Sequence, residues 1–196
     1  MEASTEEGVP IVSQAILVKK ALAEGLKVHL RKRPFSKITV EDICAASGVS
    51  RRSFYRQFQD KYELLNWLYD YEFCRFAEER DYHTIWDYYP DICRHLYSDR
   101  AFFVNAFSVT GQNSFRDFCN DKLYPILMRD FGHVFPDEAT ARFVIKRITD
   151  ASFDGFQWWL GQEPCMPPEE YAAFSRRIIT GVARGIAEID ALQKTP

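Results

Sequence analysis

Residues 39–58 read TVEDICAASGVSRRSFYRQF, and this stretch decides the fold of the N-terminal part of the chain. The hydroxyl of Thr39 stands before a short apolar-periodic run, and an acid, Asp42, follows it three residues later. This spacing resembles a capping box, in which the two side chains satisfy backbone amides at the start of a helix. We therefore expect a helix that begins at Val40 and ends near Ala46.

The next residues predict a tight turn and a second short helix. Ser47 and Gly48 offer the left-handed conformation that commonly ends a helix, because glycine lacks a Cβ. Ser50 is a favourable N-cap for a helix from Arg51 to about Phe58. Two short helices joined by a glycine turn are the helix-turn-helix arrangement, whose second helix enters the major groove of DNA.

The two faces of this motif differ in the way that DNA binding requires. Apolar residues occupy the positions where the helices must pack on each other and on the preceding helix: Ile43, Val49, Phe54 and Phe58. Polar and cationic residues occupy the outer face of the second helix: Arg51, Arg52, Tyr55 and Arg56. A solvated surface without a partner is the alternative interpretation. The coincidence of the turn, an exposed tyrosine and clustered positive charge favours DNA.

Charge is distributed unevenly along the chain. The whole sequence carries a formal net charge of −3, yet residues 13–58 hold ten Lys and Arg against three acidic residues. That segment is therefore net +7, and the remainder is net −10. A basic block of this kind is typical of a module that binds a polyanion and is attached to a part with another task.

The composition is that of a folded protein of 196 residues, with 46% hydrophobic, 15% aromatic and 27% charged residues, and it excludes a disordered chain. No run approaches the ~18 apolar residues that cross a bilayer. The start, MEASTEEGVP, is acidic where a secretion signal is basic, so we expect a cytoplasmic protein without membrane contact.

Five cysteines without a CxxC pair predict reduced thiols and no disulfide framework.

Apolar residues recur at three- and four-residue spacing along nearly the whole sequence, which predicts an all-α fold of about nine helices. The expected helices are 12–32, 40–46, 51–58, 61–80, 90–98, 100–109, 115–131, 137–160 and 168–192. Pro125 should kink the seventh of them. We assign residues 10–58 to a three-helix helix-turn-helix domain and residues 59–196 to a C-terminal helical domain.

Residues 39–69, TVEDICAASGVSRRSFYRQFQDKYELLNWLY, resemble the DNA-binding domain of the TetR/AcrR family of bacterial transcriptional regulators. The motif positions are held by Thr39, by Gly48, Val49 and Ser50 in the turn, by Phe54, Tyr55 and Phe58, and by Lys61 with Leu64. The likeness extends over about residues 12–70. It implies a homodimeric repressor that binds a palindromic double-stranded DNA operator and is controlled by a small-molecule effector.

The resemblance also implies roles for single residues. Thr39, Tyr55 and Lys61 would contact phosphates, and the arginines of the second helix would read bases, with guanine O6 and N7 as the expected acceptors. The full set of expected DNA-binding residues is Thr39, Ser50, Arg51, Arg52, Ser53, Tyr55, Arg56, Gln57 and Lys61. Arg52 stands where many members have Gly, and Gln57 where His or Tyr is usual, so the operator sequence cannot be inherited from a relative.

Two further sequence segments, FQDKYELLNWLY at 58–69 and GQNSFRDF at 111–118, resemble those of a narrower branch of the family that includes activators of dihydroxyacetone-kinase operons. Such an activator is expected to respond to a regulatory partner protein. Activation through a partner protein, with no small ligand of its own, is therefore the alternative to repression controlled by an effector.

In the family the C-terminal helices form an effector pocket, and the last two pair with a second subunit. We expect a pocket for a small or aromatic organic molecule, lined by Trp86, Phe103, Phe107, Asn113 and Trp158. The last two helices carry stripes of apolar and small residues that fit an isologous dimer interface: Ile148, Ser152, Gly155, Trp159, Phe174, Ile178, Val182 and Gly185. Packing inside one subunit is the alternative for both sets.

Two other classes of function are alternatives to DNA binding. An enzyme is disfavoured, since a di-iron bundle needs paired Glu-x-x-His motifs that the four histidines do not supply, and GxSxG, P-loop and GxGxxG motifs are missing. We therefore expect no catalysis, no cofactor and no metal. The second alternative is a module whose basic part no longer binds DNA and which acts only through protein contacts.

Overall fold

The structure is a computed structural model that describes residues 14–78, 83–110 and 114–193. Within these ranges the chain forms nine α-helices and two short 3-10 turns, without a strand, which confirms the expected all-α class. The helices are α1 (Gln14–Leu30), α2 (Val40–Ser47), α3 (Arg51–Gln57), α4 (Lys61–Glu78), α5 (Ile85–Ser98), α6 (Arg100–Phe107), α7 (Phe115–Phe131), α8 (Glu138–Gly161) and α9 (Pro168–Gln193).

Helices α1, α2 and α3 form the head, which we define as residues 14–58. Its core consists of apolar side chains that are at most 3% exposed: Leu22, Ala23, Leu26, Leu30, Phe35, Ile38, Ile43, Phe54 and Phe58. The three leucines are spaced four residues apart, so they form one stripe of α1 that packs against α2 and α3. The expected three-helix arrangement is confirmed.

The body, which we define as the described residues from 61 to 193, is held together by aromatic rings. Its buried rings include Tyr69, Phe102, Phe103, Phe107, Phe115, Phe153, Phe156, Trp159 and Tyr171. Trp159 of α8 stacks on Tyr171 of α9 with ring centroids 4.2 Å apart. Phe107 of α6 meets Phe153 of α8 edge-on at 4.8 Å. The apolar cores of head and body are continuous, so both parts pack as one cluster.

Most helix bounds agree with the sequence analysis to within a few residues, and α5 is the clear difference. The expected start at Pro90 is wrong, because α5 begins at Ile85 and Pro90 lies inside it. The amide of Thr84 donates to Asp87, at 3.0 Å, and the amide of Ile85 donates to Asp130 of α7, at 2.7 Å. These carboxylates satisfy the first amides of the helix and so allow the earlier start.

The other differences are small. Helix α1 ends at Leu30, two residues before the expected end, and its expected start at residue 12 lies outside the described residues. Helix α7 continues through Pro125 as one element, and the kink at Pro125 stays a prediction. None of the described helices combines the length and the apolar character that crossing a membrane requires.

Candidate nucleic-acid interface and the cavities of the body

The start of α2 is fixed by the expected capping box. The hydroxyl oxygen of Thr39 accepts a hydrogen bond from the amide of Asp42, at 3.1 Å. In return the Asp42 carboxylate accepts from the amide and from the hydroxyl of Thr39, both at 2.8 Å, and these two bonds lower the pKa of Asp42 well below its usual range. Two amides without helical partners are thus satisfied by local contacts, as the sequence spacing predicts.

The turn between α2 and α3 also has the expected geometry. Gly48 has φ = 69°, in the left-handed region that costs glycine little. Ser50 then caps α3, because its hydroxyl oxygen accepts a hydrogen bond from the amide of Ser53 at 3.1 Å. The angle between the two short helices is therefore set by a glycine and a serine side chain, and this fixes where α3 points.

Helix α3 separates a buried side from a polar side. Phe54 is fully buried, and Phe58 directly after the helix is 3% exposed. On the opposite side Arg51, Arg52 and Arg56 are exposed, and Tyr55 is 52% exposed. A hydrogen bond to Tyr55 raises the pKa of Arg51. The structure thus brings the expected cationic side chains and the tyrosine together on one outer face.

Lys61 has contacts inside the protein that the sequence analysis did not anticipate. Its Nζ donates to the carbonyl oxygen of Phe35, at 2.9 Å, and to that of Ile38, at 2.7 Å. The same ammonium lies 4.5 Å from the centroid of the Phe35 ring, and burial lowers the pKa of Lys61. Lys61 therefore ties the start of α4 to the segment before α2. A phosphate contact by its remaining N–H stays a prediction.

Several cations of the basic segment form ion pairs within the protein. The pairs are Lys27 with Glu72, Arg31 with Asp99 and Arg33 with Asp42, at N–O distances of 3.2, 2.6 and 2.9 Å. The charge count of the sequence therefore overstates the positive charge available to a polyanion. The exposed arginines of α3 therefore supply a larger share of the positive charge that is available to a polyanion.

Gly25 was missed by the sequence analysis, although it positions the motif. A Cβ added at Gly25 would lie 2.7 Å from the carbonyl oxygen of Ile43 in α2, closer than real Cβ contacts. The backbone of α2 can approach α1 this closely only because position 25 has no side chain. A glycine in the middle of a helix is the available signal, since it costs about 0.5 to 1 kcal/mol relative to alanine.

Two contacts join the head to the body at the end of α1. Asn105 of α6 donates its Nδ2 hydrogen to the carbonyl oxygen of Leu30, at 2.7 Å. Arg31 donates two hydrogen bonds to the Asp99 carboxylate, at 2.8 and 2.6 Å. The body therefore satisfies a carbonyl that α1 leaves without a helical partner, and it fixes the orientation of the head.

The residues expected to line an effector pocket do not lie together. Phe107 borders a cavity of about 160 Å³ between α5, α6, α7 and α8, and Trp86 borders a smaller one of about 70 Å³ near α9. Phe103 lies in the core, where it meets His95 and Phe102 edge-on. Trp158 is 57% exposed on α8. Asn113 lies outside the described residues.

The residues expected at a dimer interface are packed within the subunit on α8 but exposed on α9. On α8, Trp159 is fully buried in its own chain, and a Cβ on Gly155 would lie 2.7 Å from the Tyr171 hydroxyl, so both pack within the subunit. Ile148 and Ser152 line the smaller cavity. On α9 the outcome is different, because Phe174, Ile178 and Val182 are 38, 48 and 53% exposed, and Gly185 has open space around it.

Two family models match the chain. The model described as "Bacterial regulatory proteins, tetR family" matches residues 28–68, which contain α2 and α3. The model described as "Transcriptional regulator C-terminal region" matches residues 84–181, half of the chain. The first match covers much of the head and the start of α4, and the second lies within the body.

A curated relative is the HTH-type dhaKLM operon transcriptional activator DhaS of Lactococcus lactis, 24% identical over 99 residues. The match covers 50% of this chain and spans about half the length of the relative, 53%. A solved structure titled "Dihydroxyacetone kinase operon activator DhaS" superposes with a TM-score of 0.65 at 17% identity, over 86% of this chain and 97% of that one.

Further solved structures share the fold. A TetR transcriptional regulator from Streptococcus agalactiae superposes with a TM-score of 0.63 at 22% identity, over 85% of this chain and 95% of that one. NalD of Pseudomonas aeruginosa, described as the secondary repressor of the MexAB-OprM multidrug efflux pump, gives 0.58 at 18% identity, over 83 and 94% of the two chains. At these identities the structures show a common fold.

Proposed function

The chain belongs to the TetR family of bacterial transcriptional regulators, and we propose that it is a homodimeric repressor that binds a palindromic operator in the cytoplasm under the control of a small-molecule effector. The observation that carries the proposal is the outer face of α3. Its exposed arginines and Tyr55 stand on a helix whose position is set by Gly48, Ser50 and the buried Phe54. A rigid cationic helix of this kind fits the major groove.

Within this proposal the side chains of the motif have different roles, which follow from their hydrogen-bonding groups. Arg51, Arg52 and Arg56 are suited to base edges or phosphates, because a guanidinium donates in a planar fork. The hydroxyls of Thr39, Ser53 and Tyr55 and the amide of Gln57 are suited to phosphate oxygens. Ser50 acts through the cap that it gives α3, and Lys61 contributes mainly by bracing the head.

A dimer is part of the proposal because one seven-residue helix reaches few bases, whereas two helices about one DNA turn apart read a palindrome. The exposed side chains Phe174, Ile178 and Val182 form an apolar stripe on α9. Phe143 and Trp158 of α8 are also exposed, at 68 and 57%. Apolar surface of this extent on a water-soluble subunit is typical of an interface, and an isologous contact would bury it.

Activation controlled by a partner protein is the second candidate. The likeness to DhaS, whose name calls it a transcriptional activator, favours it. The presence of a largely apolar cavity between α5, α6, α7 and α8 favours control by a small molecule instead. The position of the binding site relative to a promoter separates the two, because a repressor site overlaps the promoter and an activator site lies upstream of it.

The test is affinity capture of fragmented source-genome DNA by the purified protein at about 150 mM salt, where non-specific phosphate attraction is partly screened. We expect enrichment of a palindrome beside particular genes. Arg52→Ala should lose that enrichment, whereas Arg142→Ala, which removes the same charge from an exposed position on α8, should retain it. Recovery of DNA without sequence preference by the parent protein would contradict the proposal.

A further inference from the structure

A hydrogen-bonded network joins the end of α1 to the start of α2. The amide of Arg33 donates to the carbonyl oxygen of His29, at 3.1 Å, so a helical turn carries the chain from His29 to Arg33. A terminal nitrogen of Arg33 lies 3.3 Å from Nδ1 of His29 and 2.9 Å from Oδ2 of Asp42. Nε2 of His29 lies 3.0 Å from the carbonyl oxygen of Asp42. We call His29, Arg33, Asp42 and Thr39 the cap network, because Thr39 and Asp42 form the capping box of α2.

The contacts of His29 fix its protonation state. A backbone carbonyl only accepts hydrogen bonds, so Nε2 of His29 must carry a hydrogen. A guanidinium only donates, so Nδ1 must be without a hydrogen to accept from Arg33. The network therefore requires the neutral imidazole. A second proton would sit on Nδ1, where it would remove the acceptor of Arg33 and place two positive charges side by side. Protonation of His29 and this position of Arg33 exclude each other.

One oxygen of Asp42 receives more donors than it can hold well. Its Oδ2 accepts from the amide and the hydroxyl of Thr39, both at 2.8 Å, and from Arg33 at 2.9 Å. A carboxylate oxygen offers about two lone-pair sites. Of the three donors only the hydroxyl rotates freely, and its oxygen accepts from the Asp42 amide independently of where its hydrogen points. While Arg33 is in place, the hydroxyl hydrogen of Thr39 is therefore available to a phosphate oxygen.

Histidine is the side chain in this network whose charge ordinarily changes between about pH 8 and 6. The hydrogen bonds from Thr39 and Arg33 lower the pKa of Asp42, so its carboxylate stays charged in that range. The other charged side chains at the helix starts around the network, linked to one another or to Asp42 by charge, are Glu41 of α2, Arg51 of α3 and Lys61 of α4.

We propose that neutral His29 is a positioning residue for operator binding: it holds Arg33 on Asp42, which leaves the Thr39 hydroxyl free to donate to a DNA phosphate. The proposal rests on the regulator function above and deepens it. When His29 takes up a proton, Arg33 is displaced from Oδ2 of Asp42. The hydroxyl hydrogen of Thr39 then returns to that oxygen, and the phosphate contact is lost.

The experiment measures how much operator affinity Thr39→Val removes at two pH values. Valine has a shape similar to that of threonine but lacks the hydroxyl. The ratio of the two affinities therefore reports the hydroxyl and cancels the general attraction of a protonated head for DNA. The full chain is titrated with the captured palindrome by fluorescence anisotropy at constant ionic strength. We expect a loss of about tenfold at about pH 8, as for one hydrogen bond to a charged group, and of about twofold at about pH 6.

Two substitutions of His29 separate its hydrogen bonds from its charge. The amide of His29→Gln can donate to the Asp42 carbonyl and accept from Arg33, but it takes up no proton. In this background Thr39→Val should remove about tenfold at both pH values. His29→Leu makes neither bond, so Thr39→Val should remove only about twofold at both. His133→Gln changes an exposed histidine of the body and should behave like the parent.

A loss that is equal at both pH values in the parent, or that still changes with pH in His29→Gln, would overturn the proposal and leave the regulator function intact. A full loss at about pH 8 in His29→Leu would overturn it as well. Circular dichroism at each pH establishes that the variants are folded. A parent without preference for the palindrome over a scrambled duplex would refute the regulator function itself. Nitrogen-15 NMR of the imidazole tests the network without DNA: a hydrogen on Nε2 supports it, and a hydrogen on Nδ1 overturns it.

Discussion

The head and the body of this protein are stabilised in different ways. In the head, hydrogen bonds set the positions of short helices: Thr39 with Asp42 and Ser50 with Ser53 are local, and Lys61 at the start of α4 adds two bonds to carbonyls of the head. In the body, long helices are joined by buried aromatic rings, and cavities remain between them. Directional contacts suit a surface that must fit DNA closely. Apolar packing with spare volume suits a part that can accept a guest.

The largest effect should come from the aromatic packing of the body. Trp159→Ala removes a fully buried indole that stacks on Tyr171 and donates to the carbonyl of Met166, so it should cost about 3 to 5 kcal/mol of unfolding free energy. Trp158→Ala, the neighbouring substitution at a 57% exposed position, should cost about 0.5 kcal/mol. Denaturant unfolding at several low protein concentrations measures both. Similar losses would contradict the assignment of Trp159 to the core.

The next largest effect should come from the close contact between α1 and α2. Gly25→Ala places a Cβ against the Ile43 carbonyl, a backbone atom that cannot move aside, and should cost about 1 to 3 kcal/mol. It should also weaken operator binding, because α2 carries α3. Gly161→Ala has open space around it and serves as the control, with little change expected in either quantity. A Gly25→Ala variant with parental stability and affinity would refute the close packing.

A smaller effect is expected from the cap of α2. Thr39→Ala removes the hydroxyl that accepts from the Asp42 amide and should cost about 1 kcal/mol. Thr39→Ser keeps the hydroxyl and should retain most of the stability. Thermal unfolding of the three proteins gives the comparison. Equal losses in both variants would show that the methyl group, and not the hydrogen bond, is what matters at this position.

The sequence predicts the head better than the body because the cues of the head are local. The hydroxyl and acid three residues apart, the glycine and the second hydroxyl each specify one backbone conformation, and the structure confirms all of them. In the body, Trp158 and Trp159 are consecutive apolar residues, so the periodicity of the sequence alone does not decide which of the two side chains faces inward. The structure exposes Trp158, expected in the pocket, and buries Trp159, expected in the interface.

Contacts between residues distant in sequence account for the remaining differences. Asn120 and Asp150 are 30 residues apart, and no local pattern joins them. The same is true of Asn105 and Leu30, 75 residues apart, which connect the body to the head. The earlier start of α5 also depends on a distant carboxylate, that of Asp130. Such pairs become visible only when the helices are packed.

The smallest expected effect is a loss of folding stability at low pH, which arises from His95 at the junction of head and body. The side chain of His95 is 16% exposed, and its Nε2 lies 3.6 Å from the Glu72 carboxylate. Burial lowers the pKa of His95 below its ordinary value of about 6.5. The folded state therefore binds a proton less readily than the unfolded state, so stability is retained above about pH 6.5 and decreases as the pH falls below it. His95→Gln should flatten this decrease, as denaturant midpoints from pH 7.5 to about 5 would show.

The measurement that tests the central claim most directly is the affinity of the captured palindrome for parent protein, Tyr55→Ala and Arg142→Ala, by fluorescence anisotropy over a range of salt concentrations. The account predicts that the parent binds the palindrome at least about 10³-fold more tightly than a scrambled duplex, with an affinity that falls steeply with salt. Arg142→Ala should match the parent, and Tyr55→Ala should bind much more weakly while remaining folded. A folded Tyr55→Ala with parental affinity would show that the outer face of α3 is not the surface that binds DNA.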